Sequence, residues 1–239
     1  MKDMIREGAR AMGIVLPEDA PERFERFHAL LTEANKTMNL TRVPDDPAEA
    51  VDRNYLDSLT PLAVPGLMEG VATLCDLGAG AGFPGIPLAI ARPDIRVTLM
   101  DSLGKRVAFL NDVIARLGLN AEAVHIRAEE AARLPAYRDR FDRVTARAVA
   151  ALPALVELAL PLVRPGGRFV AYKGPSLEEE LAACPAVLKR LNAGEAVCHA
   201  APIPGRDWDH RLCAVEKAGA TPKSFPRRPG EAARNPILR

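Results

Sequence analysis

Hydrophobic positions along this chain change their period once, near residue 71. Ahead of that point they recur every three or four residues, the spacing of an amphipathic helix. The stretches 3–15 and 21–38 carry it, the second with Phe24, Phe27, Leu30 and Leu31 on one face before Asn39-Leu40-Thr41 ends it. A further helix over 47–62 sets Val51, Tyr55, Leu59 and Leu62 at spacings of four and three. Residues 1–70 are therefore expected to form an all-helical N-terminal cap. From Thr73 onward, short apolar runs alternate with helical patterns: strands at 73–77, 96–101, 123–127, 141–147 and 167–173, helices at 84–91, 104–117, 152–163 and 176–191. Such alternation predicts an α/β core with a mostly parallel sheet and helices on both faces. The segments 195–203 and 211–217, joined by a loop over 204–210, read as a terminal antiparallel hairpin. The core is thus placed at 71–217 and a C-terminal arm at 218–239.

Composition narrows the class. The 239 residues are 48% apolar, enough to bury a sizeable core. The richest apolar run, 148–163, is interrupted by Pro153, Glu157 and Pro161, which argues against a membrane span. Asp3, Arg6, Glu7 and Arg10 interrupt the N-terminus before any signal-peptide core develops, so a cytoplasmic location is expected. Cys75, Cys184, Cys198 and Cys213 lack CxxC spacing and lie in or beside apolar segments, which predicts buried, reduced thiols. No two of His28, His125, His199 and His210 share ligand spacing, and no metal is expected. Net charge is only +1, but residues 1–70 hold 8 Lys or Arg against 13 Asp or Glu, and residues 217–239 hold 6 against 1. The tail, with Lys217, Lys223, Arg227, Arg228, Arg234 and Arg239 among four prolines, reads either as an extended arm lying along phosphates or as a solvated terminus.

The chemistry concentrates at residues 73–85, TLCDLGAGAGFPG. An apolar strand runs into Gly78, Gly80 and Gly82, whose backbone can take positive φ and approach a ligand without a Cβ between. Asp101 closes the next apolar strand about twenty residues on, where a carboxylate accepts both hydroxyls of a ribose. Gly80, Gly82 and Gly85 also satisfy GxGxxG, but that match starts two residues after the strand ends, which weakens a dinucleotide-binding reading. The run D-L-G-x-G-x-G instead resembles motif I of class I S-adenosylmethionine-dependent methyltransferases, a Rossmann-like fold. Ligands in such sheets lie beyond the carboxyl ends of the strands. That places Phe83 in the first loop, Ala128 and Glu129 after the third strand, and Arg147 at the end of the fourth, in TARA (145–148). A salt bridge to Asp142 or Glu129 is the structural alternative for Arg147. No NPPY-like run follows that strand, no Cys ends a strand, and no His is expected beside Gly78, Asp101 or Arg147.

Taken together, NLT (39–41), LDS (56–58), DLGAGAGFPGIPLAI (76–90), DSLGKRVAFL (101–110), RAEE (127–130), TARA, YKG (172–174) and TPKSFPRRPG (221–230) resemble the RsmG (GidB) family over nearly the whole chain. Members methylate N7 of a guanine, guanine 527, in the 530 loop of bacterial 16S rRNA. The resemblance implies S-adenosylmethionine contacts at Gly78, Phe83, Ala128, Glu129 and Arg147; Gly80, Gly82 and Asp101 join them from the loop and ribose arguments. Arg147 and Lys173 are the candidates for holding the base or its phosphate, and Lys105, Arg106, Lys223, Arg227 and Arg228 for contacting RNA. The implied partner is 16S rRNA, free, in the 30S subunit or in an assembly intermediate, met by a monomer. Where members often carry Arg-His ahead of LDS, this chain has Arg53-Asn54-Tyr55. A small-molecule methyltransferase would not need the basic tail, and a silent RNA-binding module would not need both Asp101 and Arg147.

Overall fold

In the computed structural model, which describes residues 1–238, seven strands form one sheet. Arg239, counted above in the basic tail, lies outside the described residues. Five strands run parallel: β1 (Thr73–Leu77), β2 (Arg96–Asp101), β3 (Ala121–His125), β4 (Phe141–Arg147) and β5 (Val163–Lys173). β6 (Ala196–Ala200) and β7 (Arg211–Glu216) form the expected hairpin, β7 antiparallel to β5. The order β3-β2-β1-β4-β5-β7-β6 reverses direction between β1 and β4, and a cleft opens beyond their carboxyl ends at that switch point.

Each face of the sheet carries its own apolar core. On one face lie α1 (Lys2–Ala11), α2 (Ala20–Met38), α3 (Pro47–Ala50), a π-helical turn (Val51–Leu56), α4 (Asp57–Ala63), α5 (Gly85–Ala91) and α6 (Gly104–Leu117). Phe24, Phe27 and Tyr55 from the N-terminal helices pack in one cluster with Phe83, Ile86 and Leu110 of the sheet domain. The short α7 (Ala128–Ala131) follows β3, and α8 (Leu152–Ala159), α9 (Leu177–Ala182) and α10 (Pro185–Arg190) cover the other face around Val144, Val156 and Phe169. A last turn, α11 (Glu231–Arg234), lies in the C-terminal segment. No helix of the described residues is long and apolar enough to cross a membrane.

Several expected boundaries move for local reasons. The helix expected over 152–163 ends at Ala159, because Pro161 has no N–H to extend it and Val163 already pairs with Phe141. The helix expected over 176–191 is two short ones, the second started by Pro185 at its first position. β3 begins two residues earlier than expected, and the Asn111 side-chain amide donates to the Ala123 carbonyl and accepts from the Ala123 N–H. Of the cysteines, Cys75, Cys184 and Cys213 are buried as expected, whereas Cys198 is exposed on the edge strand β6.

The C-terminal segment departs most from expectation: it is not an extended basic arm. Phe225 and Ile237 are each only 5% exposed and pack into the second core. Arg227 is bound to the buried Glu157, and Arg138 donates to the carbonyls of Thr221 and Phe225. Lys217 is wholly buried, paired with Asp139, and burial lowers its pKa. Apolar burial and spent charges, rather than extension into solvent, set the path of this segment.

Candidate active site

The floor of the cleft is the glycine loop, tied down by two carboxylates. Asp76, on β1 and fully buried, accepts from the Gly85 amide at 2.8 Å and the Thr145 hydroxyl at 3.2 Å. Burial pushes its carboxyl up to about 7, against those two hydrogen bonds. Asp101, at the end of β2, accepts from the Gly80 amide and the Leu103 amide, each at 2.9 Å, with Arg106 3.5 Å away. Gly78 adopts φ +73°, and a Cβ there would stand 2.7 Å from a Val149 methyl. Only glycine lets the loop pass under Val149 and keep the cleft open.

This cleft is lined on one side by Gly78, Asp101 and Ser102 and on the other by Ile126, Ala128 and Glu129. Val149 and Leu158 add apolar surface, and Gly230 and Ala233 of the C-terminal segment close one edge. The Gly230 amide donates to Glu129 Oε1 at 2.8 Å. Two buried carboxylates facing an apolar slot, with a Cβ-free approach between them, fit an adenosyl group: hydroxyls and an amine to be accepted, and a flat ring to be covered. Of the other loop residues expected here, Gly82 lies away from the cleft, against Ile86 and Leu110. Phe83 is buried between Phe27 and Tyr55, with ring centroids at 5.3 and 5.5 Å, and the Arg147 guanidinium lies 5.1 Å above it.

A second pocket opens beside the first, across the loop 148–150, lined by Asp57, Arg147, Tyr172, Lys173 and His210. Arg147 pairs with neither Asp142 nor Glu129; it donates to Asp57 Oδ2 at 2.9 Å and to the Arg53 carbonyl at 3.1 Å. The other oxygen of Asp57 meets His210 Nδ1 at 2.9 Å, so one carboxylate orients both groups. A histidine is therefore present one residue removed from Arg147, contrary to the sequence expectation. Lys173 donates to Glu180 at 2.7 Å and to the Ala150 carbonyl at 2.9 Å, which ties the loop between the pockets to β5. Within that loop Ala148 holds φ +55°, whereas the other non-glycine residues with positive φ among those described are Asn or Asp. An alanine held there costs about 1–3 kcal/mol, strain of the kind that clusters at functional sites.

The basic candidates are scattered. Lys105 and Arg106 begin α6, Lys223 and Arg228 are exposed on the C-terminal segment, and Arg227 is committed to Glu157.

The family model described as rRNA small subunit methyltransferase G matches residues 20–201. Ribosomal RNA small subunit methyltransferase G of Pelotomaculum thermopropionicum is 43% identical over 239 residues, covering 99% of each chain. The Limosilactobacillus reuteri protein of that name is 43% identical over 228 residues, covering 94% of each. The chain belongs to this methyltransferase G family. Its fold agrees: an O-methyltransferase from Bacillus cereus, solved with S-adenosylhomocysteine, superposes with a TM-score of 0.57 at 18% identity, covering 91% of this chain and 100% of that one. The family depends on S-adenosylmethionine, which is the cofactor here.

For a methyltransferase G, the residues that sequence reasoning missed are those brought in from afar. Asp57 stood only as part of LDS, with nothing to say that it faces Arg147 and His210, which lie 90 and 153 positions away. Asn54, in the Arg53-Asn54-Tyr55 run ahead of LDS, is 6% exposed and its amide nitrogen has no partner.

Proposed function

We propose that this chain methylates N7 of guanine 527 in the 530 loop of 16S rRNA, as a cytoplasmic enzyme, by alignment and without an essential base. S-adenosylmethionine, when bound, supplies an electrophilic methyl group on a sulfonium. Gly78, Ala128 and the carboxylates of Asp101 and Glu129 would hold it in the first cleft, with the Gly80 amide keeping Asp101 in place. The second pocket would take the guanine. N7 carries an in-plane lone pair and no proton, so nothing must be abstracted before attack; correct placement alone can lower such a barrier by about 7 kcal/mol or more. Arg147, fixed by Asp57, is suited to donate to guanine O6 and leave N7 free. Lys173 holds the loop between the pockets, and Lys105, Arg106, Lys223 and Arg228 remain the candidates for phosphate contact.

The observation that carries this reading is the pair of pockets sharing the strained loop at Ala148, the second lined by Arg147 and Lys173 with their carboxylate partners and by no thiol. A cytosine-C5 enzyme needs a reactive thiolate. Cys75, Cys184 and Cys213 are buried with pKa values raised by burial, and Cys198 lies out on β6. Mass mapping of 16S rRNA from cells with and without the protein tests the reading directly. Loss of one 7-methylguanine at position 527 is expected; a methyl group at any other atom refutes it. Single-turnover rates with bound RNA should stay nearly flat across neutral pH, and a steep titration there would assign a base.

A further inference from the structure

Loop 201–210, between β6 and β7, carries the only tryptophan of the chain. Trp208 is half-buried beside His210, which lines the second pocket, and is the centre of a stack. The Arg53 guanidinium lies 4.3 Å and that of Arg206 5.1 Å from its ring centroid. The His210 ring is 5.3 Å away, tilted by 32°. Both guanidinium groups in this stack are already matched by a carboxylate, Arg53 by Glu49 at 2.5 Å and Arg206 by Asp52 at 2.6 Å, and the His210 ring is held by Asp57 at 2.9 Å. The inner end of the stack is the pocket itself, since His210 lines it and the Arg53 carbonyl accepts from Arg147.

We propose that this stack is a docking surface for an unpaired nucleobase neighbouring the guanine in the pocket, recognised by its planar face and not through its phosphate. The inference rests on the functional reading above and adds to it the element that grips the strand. Three arguments favour a base. Indole, imidazole and guanidinium planes are the groups on which proteins stack splayed single-stranded RNA bases. Carboxylates beside both guanidinium groups cancel the local field that a phosphate contact would exploit, and a carboxylate holds each of the three planes in place. The spacing also fits: successive bases rise about 3.4 Å along a stacked strand, and Trp208 lies 5.3 Å from the ring that lines the pocket. A strand with one base beside His210 therefore brings the next one within reach of the stack.

The protein reports on this itself, because under excitation selective for tryptophan its emission comes from Trp208. Titration with a short single-stranded oligoribonucleotide carrying the target guanine should quench that emission. Base-on-aromatic stacking is worth about a fivefold or greater change in affinity per base. Trp208→Ala should thus bind the oligonucleotide at least fivefold more weakly, with KM for rRNA raised, kcat little changed and the salt dependence of binding unaltered. Trp208→Phe, which keeps a stacking ring and the packing beneath it, should recover most of the loss. Calorimetric binding of S-adenosylmethionine, unchanged in both variants, certifies their fold. Wild-type affinity in Trp208→Ala overturns the proposal, and so does a loss accompanied by a shallower salt slope, which would make the stack a phosphate site. If the wild-type protein places no methyl group on 16S rRNA, the functional reading fails; if it does so and Trp208→Ala matches its KM, only the stacking surface fails.

Discussion

Removing the Arg227 side chain should loosen the C-terminal segment through the carboxylate it leaves behind. Glu157 is 1% exposed on α8, and Arg227 donates to it from Nε and Nη2 at 2.7–3.1 Å, and from its own amide at 2.9 Å. Charge-assisted hydrogen bonds summed at about 1.5–3 kcal/mol each would overstate the effect, since they largely offset the cost of burying the carboxylate. The better measure is the loss of one partner from a buried pair, about 3–5 kcal/mol. Arg227 is itself 23% exposed, so water reaches the vacated site and the lower end applies. Arg227→Ala should therefore lose about 3 kcal/mol in urea unfolding, a large share of the roughly 5–15 kcal/mol that holds a domain together. Glu157→Leu in the same background should restore at least half, because no charge then remains buried. Gly230 and Ala233 edge the cofactor cleft, so affinity for S-adenosylmethionine should fall in the single variant and return in the double. A loss below about 0.5 kcal/mol, the range of ordinary surface substitutions, would refute the reasoning.

Asp101→Ala removes both the proposed ribose acceptor and the tie to the Gly80 amide, so S-adenosylmethionine affinity should drop at least about tenfold by calorimetry; an unchanged constant in a folded variant would remove Asp101 from the site. Asp76, whose carboxyl burial raises to about 7, keeps its proton in the native state over a range where the unfolded chain has released it. Native stability should accordingly fall as pH rises from about 4 to about 7. Asp76→Asn should flatten that slope in urea midpoints measured at both ends, and an identical slope would place the titration elsewhere.

Much of the scaffold was legible because its signals are local. β1, β2, β4 and α6 occupy the expected residues: each strand centres on buried apolar residues such as Leu74, Leu99 and Val144, and α6 stops where Gly118 turns left-handed at φ +59°. β3 was less legible, since AEAVH is half-buried or exposed along its length and its register is set by pairing with β2. The tail was misread because net charge dominated the reading, although Phe225 and Ile237 were there to be counted. The cofactor side of the site follows from the loop and the strand ends. The substrate side does not: Asp57, Trp208 and His210 converge only once α4 and the β6–β7 hairpin have docked, and no spacing within the sequence announces that meeting.

The π-helical turn at Val51–Leu56 carries a further consequence. It holds one more residue than an α-helical turn would, and Asp57 is the next residue after it. Each residue advances an α-helix by about 100°. A wider turn advances less per residue, so it sweeps with one extra residue about the angle that an α turn sweeps without it. Loss of one position could therefore be absorbed by rewinding into ordinary helix, with α4 still turned toward Arg147 and His210. Identity matters more than count here: Val51, Tyr55 and Leu56 are each no more than 2% exposed, and a polar substitution at any of them would unseat the element that carries Asp57.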